Sequence, residues 1–131
     1  MARPNTRHPT DLELAILKVL WQKSPQTVAA VRDILAAAGR ELTHSSVITI
    51  MNIMVRKKYL RRTKRGRAFE YDPLVEGRGV NRRMLNDMVN RVFDGSAAAV
   101  LLELLETSDV SQNELAEIRR LINRKARERG P

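Results

Sequence analysis

The chain has 131 residues, with 24 Lys or Arg against 15 Asp or Glu, for a formal net charge of +9. Hydrophobic residues make up 43%, enough for a core and too many for a disordered tail. The absence of cysteine excludes a disulfide scaffold, a thiolate metal site and a cysteine nucleophile, and no apolar run approaches the roughly 20 residues of a membrane span.

Residues 1–9 are polar and lack an apolar h-region. They read as a flexible arm and not as a signal peptide, so a cytoplasmic protein is the expectation. Thr10 and Glu13 then form a T-x-x-E capping box, in which each side chain satisfies a backbone N–H of the other's turn. Leu12, Ala15, Ile16, Val19 and Leu20 follow at helical spacing, with Leu14, Leu17 and Trp21 beside them. Such a helix is apolar over more than half its circumference and should be largely buried. Ser24-Pro25 ends it. Thr27 caps a second helix with Val28, Val31, Ile34, Leu35 and Ala38 on its stripe, and Gly39 suits a left-handed C-terminal position.

Thr43 caps a third helix, about 44–57. At 100° per residue, Val47, Ile50, Met51 and Met54 cluster on one side, and Ser45, Thr49, Asn52 and Arg56 on the other. The second face is small, polar and free of acids. Solvated helix faces are usually rich in Glu and Lys, whereas Ser, Thr and Asn lower helix propensity. A face of this kind suits close approach to a surface that exchanges hydrogen bonds.

Two short strands are expected at Tyr59 to Lys64 and Arg67 to Tyr71, joined by a tight turn at Arg65-Gly66. The positive charge is concentrated here. Residues 56–67 carry eight basic side chains and no acid, whereas residues 1–55 have net charge +2 and residues 68–131 net charge −1. A localised basic stripe on a folded protein points to a polyanion. Three helices followed by a basic hairpin is the order of a winged helix-turn-helix: the second helix supports, the third enters the major groove and the wing lies along phosphates. The expected fold is therefore mostly α with a small β-hairpin wing.

The two glycines in residues 74–79 suggest a hinge. A helix over 80–93 follows, with Val80, Met84, Leu85, Met88, Val92 and Phe93 on its stripe. Asp94-Gly95 breaks it, Ser96 caps Ala97 to Glu106, and Ser111 with Glu114 forms a second capping box before Leu115, Ile118, Leu121 and Ile122. Arg124 to Pro131 should fray. These amphipathic helices are too few to build an independent core of usual size, so they are expected to bury their stripes against a second copy. The division expected is an arm over 1–9, a DNA-binding domain over 10–75 and a helical dimerisation region over 76–131. Met84, Met88, Val92, Leu101, Leu104, Leu105, Leu115, Ile118, Leu121 and Ile122 are its candidate interface.

The ordered set of segments resembles the penicillinase and methicillin-resistance repressor family of bacterial transcription regulators. It includes Asp11-Leu12-Glu13 with Ile16-Leu17-Lys18-Val19-Leu20-Trp21, then Thr27-Val28, and Leu42-Thr43-His44-Ser45-Ser46-Val47. The wing from Lys64 to Val75, Phe93-Asp94-Gly95-Ser96 and Asp109-Val110-Ser111 complete it, so the resemblance spans about residues 9 to 124. It implies a homodimer on a palindromic double-stranded DNA operator, repressing nearby genes, with a membrane sensor or protease system as a further partner. The family's cleavage site, an Asn-Phe bond in the second C-terminal helix, aligns with Glu103-Leu104 here. A copper-responsive branch carries a C-terminal cysteine motif, which this chain lacks.

Candidate DNA contacts follow from residue chemistry. Ser45, Thr49 and Asn52 suit base edges or nearby phosphates, Asn being able to pair bidentately with adenine. Thr43, His44 and Ser46 lie at the helix N-terminus, where backbone N–H groups and the dipole favour a phosphate, although His44 fits a solvated first-turn residue equally well. Arg56, Lys57, Arg61, Arg62, Lys64, Arg65 and Arg67 would supply sequence-independent affinity, strand alternation letting about half of the hairpin cations face DNA together. Tyr59, Phe69 and Tyr71 suit packing better than base stacking. An RNA-binding or ribosome-associated module is the alternative, disfavoured by the lack of an RNP-like aromatic cluster. A protein-only interaction module is disfavoured by the +8 segment. No enzyme motif is present: neither His8 nor His44 has an acid spaced to orient it, and there is no Gly-rich phosphate loop or Ser–His–Asp set. No cofactor and no metal is expected.

Overall fold

Among residues 8–130, which the computed structural model describes, the chain forms six α-helices and one two-stranded antiparallel hairpin. They are α1 (Asp11–Gln22), α2 (Val28–Ala37), α3 (His44–Arg56), β1 (Leu60–Arg65), β2 (Ala68–Pro73), α4 (Gly77–Val92), α5 (Ala97–Thr107) and α6 (Gln112–Arg129). Residues 1–7 of the expected arm lie outside the described residues, and Pro9 is buried. The chain divides into two compact units, one ending at Asn86 and one beginning at Asp87, so the division falls inside α4. Among the described residues no helix is long and apolar enough to cross a membrane.

Local chemistry starts the helices. Thr10 and Glu13 exchange the two capping-box bonds, Thr10 N to Glu13 Oε1 at 2.8 Å and Glu13 N to Thr10 Oγ1 at 3.2 Å. Thr27 caps α2, Thr43 caps α3 and Ser96 caps α5, each hydroxyl accepting from the N–H three residues on. Ser111 and Glu114 repeat the capping box at α6.

In the first unit, α1, α2 and α3 pack with the hairpin around one core. Ile16, Leu17 and Leu20 come from α1, Val31 and Leu35 from α2, Val47, Met51 and Met54 from α3, and Leu60 and Tyr71 from the strands. The hairpin is registered with Leu60 opposite Pro73 and Arg65 opposite Ala68. It is held to the helices by a non-local bridge. The Tyr71 N–H donates to the Gln26 carbonyl at 2.8 Å, and the Gln26 N–H donates back at 3.2 Å. Three helices with a wing packed onto the third make a winged helix-turn-helix, as the order of elements predicts.

Three local expectations are corrected. The turn is Gly66-Arg67, one residue later than expected, with positive φ at Gly66 alone among the two, the II′ pattern that fits a two-residue hairpin. Half of the expected hinge is helix: α4 starts at Gly77, and both glycines lie in its first turn. A Cβ at Gly77 would come within 3.2 Å of the Trp21 ring. The glycine thus allows the helix to seat against an indole whose Nε1 donates to the Val75 carbonyl at 2.8 Å. The expected fraying from Arg124 is replaced by helix as far as Arg129, where Arg127 and Arg129 favour the negative end of the dipole.

In the second unit the helices are well capped but poorly covered. Val100 is its one buried apolar side chain among the described residues. Leu101, Leu102, Leu104, Leu121 and Ile122 are exposed, with Leu102 at 61%.

Candidate nucleic-acid interface

The core face of α3 fixes what its other face presents. Val47, Met51 and Met54 are completely buried, which turns Ser45, Thr49 and Arg56 outward, all exposed, with Asn52 half-buried beside the wing. Thr43, His44 and Ser46 are exposed at the helix start. The Thr43 hydroxyl is engaged locally: it accepts from the Ser46 N–H at 3.0 Å and donates to the Ser46 hydroxyl at 2.9 Å. His44 lines a concave groove with Thr27, Ile48, Arg67 and Phe69.

Strand alternation sorts the hairpin cations by face. Arg61 and Arg65 share one face with the acids of β2. Arg61 pairs with Asp72 at 3.5 Å, and Arg65 with Glu70 at 3.4 Å. Arg62 and Lys64 lie on the other face, opposite Tyr71 and Phe69 in the register. That face carries no acid and is the one that meets α3. Arg62 Nη1 donates to Asn52 Oδ1 at 3.1 Å, and the guanidinium lies over the Phe69 ring at 4.2 Å. Among the described residues Arg56, Lys64 and Arg67 make no ion pair. The eight basic residues therefore do not act alike: one hairpin face is nearly neutralised and the other keeps its charge beside α3.

Lys57 is committed inward. Its Nζ donates to Glu13 Oε2 at 2.9 Å, and Glu13 is only 3% exposed. The other carboxylate oxygen caps α1, so one buried acid ties the start of α1 to the end of α3. Lys57 also lies over the Tyr59 ring, 5.8 Å from its centroid. Burial, followed by the Glu13 carboxylate, pushes the Tyr59 phenol above its ordinary value. Lys58 turns the chain from α3 into β1 with φ +66, a left-handed conformation uncommon for a residue with a side chain.

The sequence reading missed this inner network. Tyr71, 0% exposed, donates its hydroxyl hydrogen to Asn52 Oδ1 at 2.9 Å. Nothing local signals a bond between residues 19 apart on a helix and a strand. The alternation of Phe69 and Tyr71 with Ala68 and Glu70 does indicate that Tyr71 shares a face with Phe69.

The candidate dimerisation residues, all but Met84 in the second unit, are unevenly covered. Val92, Leu101, Leu104, Leu121 and Ile122 are exposed, while Met84, Met88, Leu105, Leu115 and Ile118 are half-buried. Leu85 and Leu102 are also exposed large apolar residues, outside the set expected from the sequence. Among the described residues no group of His, Asp and Glu is arranged to hold a metal ion.

A family model described as penicillinase repressor matches residues 9–124. The methicillin resistance regulatory protein MecI of Mammaliicoccus sciuri is 24% identical over 115 residues, covering 86% of this chain and 91% of that protein. The transcriptional regulator BlaI of Mycobacterium tuberculosis is 31% identical over 116 residues, covering 82% of this chain and 83% of that protein. Among solved structures, the solution structure of the DNA binding domain of the repressor BlaI aligns with TM-score 0.48 at 25% identity, over 59% of this chain and 90% of that one.

Proposed function

The chain belongs to the penicillinase repressor family, and on that premise we propose that it represses transcription as a homodimer bound to a palindromic operator. One observation carries the reading: the acid-free face of α3 (Ser45, Thr49, Asn52, Arg56) adjoins the acid-free face of the wing (Arg62, Lys64). A helix lying in the major groove would bring its small polar side chains to base edges, and the wing cations beside it would meet phosphates. Arg67 in the turn and the N–H groups at the start of α3 would add phosphate contacts. Lys57, paired with buried Glu13, contributes to this surface by holding α3 in place.

In the same reading the domain over 10–75 binds DNA and the region over 76–131 dimerises. The leucines and isoleucine left open on α5 and α6 support that role, since large apolar side chains exposed in such number are costly to a monomer in water. Glu103-Leu104 stands where the family has Asn-Phe, so a membrane sensor or protease partner rests on the resemblance alone.

Affinity measured against salt tests the proposal, with structured RNA as competitor. A dimer neutralising on the order of 6–8 phosphates gives a log–log slope of roughly −5 to −7. Duplex DNA outcompeting structured RNA supports the reading. A salt-independent affinity contradicts it, and preference for the RNA favours a ribonucleoprotein role.

A further inference from the structure

Asn52 lies on the face assigned to base reading, and part of its side chain is already spent. Its Oδ1 accepts from Tyr71 Oη at 2.9 Å and from Arg62 Nη1 at 3.1 Å. Chemistry fixes which end of the amide is which. A guanidinium has donors only, so the atom it approaches is the oxygen. That oxygen has two lone pairs, and both are taken. The two N–H groups on Nδ2 remain, with no hydrogen bond among the described residues.

The network is held on both sides. Tyr71 is 0% exposed and its backbone is bridged to Gln26. Arg62 is stacked over Phe69. Rotating the Asn52 amide by half a turn would set Nδ2 against the donor-only Arg62 guanidinium and leave the buried Tyr71 hydroxyl hydrogen without its acceptor. One orientation is therefore strongly preferred.

Resting on the DNA-binding reading above, we propose that Tyr71 is a positioning residue that makes Asn52 a donor-only reader, selecting guanine over adenine at its base pair. Bidentate pairing of an amide with adenine needs one donor and one acceptor, because adenine offers N7 and an N6 amino group. Here the N6 amino group would meet an N–H. Guanine offers two acceptors, O6 and N7, and no donor on that edge. Arg62, one donor spent on Asn52, keeps other donors beside the same position. Tyr71 itself is too deeply buried to touch DNA, so its influence on base choice runs through Asn52.

The test selects binding sites from a random duplex pool with the wild type and with Asn52→Ala. The base pair at which Asn52→Ala loses discrimination is the Asn52 contact. There the wild type favours guanine over adenine by about tenfold or more, and Tyr71→Phe lowers that ratio about threefold or more with random-duplex affinity nearly unchanged. Asn52→Asp provides an arm independent of how well Tyr71→Phe folds. It keeps the acceptors for Tyr71 and Arg62 and removes both donors, so guanine preference is lost and cytosine, with its N4 amino group, gains. Adenine preference at that pair overturns the proposal, as does an Asn52→Ala variant that relaxes no pair. An unchanged guanine-to-adenine ratio in Tyr71→Phe, with binding weakened evenly, also overturns it. No enrichment by the wild type would overturn the DNA reading as a whole, an outcome distinct from enrichment of the wrong base.

Discussion

Up to Asn86 the chain buries its apolar side chains against one another; from Asp87 onward it leaves nearly all the large ones exposed or only half-buried. The first unit encloses Ile16, Leu17, Leu20, Val31, Val47, Met51 and Met54 completely. The second covers only Val100 to a comparable degree among the described residues. Both have sound helix caps, so local propensity does not separate them. The difference is what each stripe has to pack against. In the first unit the stripes of three helices meet each other and a hairpin, which turns the polar face of α3 outward. In the second the stripes lack such partners within the chain, and on the proposed reading a second copy covers them.

This contrast is open to direct attack, starting where the largest effect is expected. Met51→Ala removes a fully enclosed side chain and should cost about 2–5 kcal/mol in chemical denaturation, whereas Leu102→Ala should cost far less under conditions where the chain is dilute. Equal costs would mean that the two units are not packed differently. Next, Leu101→Glu with Leu121→Glu should abolish self-association in sedimentation. It should lower affinity for a two-half-site duplex on the order of a hundredfold, because linked binding is lost. Unchanged sedimentation would remove α5 and α6 from the interface.

Smaller effects test the first unit from within. Glu13→Gln preserves shape and leaves Lys57 without its counter-charge next to a nearly buried amide. A loss of about 1–3 kcal/mol is expected in urea melts. No loss would show the α1–α3 tie to be dispensable. Smallest of all is the split between the wing faces. Lys64→Ala should reduce the salt slope by about one, and Arg65→Ala, already paired with Glu70, by clearly less. The reverse order would mean that the outer face of the wing meets DNA.

How far the sequence could be read follows the same division between local and distant causes. The caps at Thr10, Thr27, Thr43, Ser96 and Ser111 act over three residues, so spacing alone exposes them. The periodicity of Val47, Met51 and Met54 likewise gives the core face of α3, and with it the outward face. The Glu13–Lys57 pair was not legible, because its members are 44 residues apart and Glu13 already had a complete local explanation as a cap. Nor was the role of Asp72 and Glu70, which depends on the register that sets Arg61 and Arg65 on their face. A glycine pair normally signals flexibility, and only the Trp21 ring against Gly77 reveals that the first of them serves close packing in a helix. At the candidate site the sequence does not reveal orientation: that the Asn52 oxygen is occupied by Tyr71 and Arg62 depends on contacts 19 and 10 residues away.

On the proposed reading, recognition belongs to the first unit and pairing to the second. Mass measurement of the complex formed on a selected duplex, for the wild type and for Leu101→Glu with Leu121→Glu, tests it most directly. The account predicts two wild-type chains on inverted half-sites about one helical turn apart, and one variant chain on a single half-site with the same base preferences. A wild-type complex of one chain per duplex, or a variant that folds and no longer distinguishes bases, would contradict it.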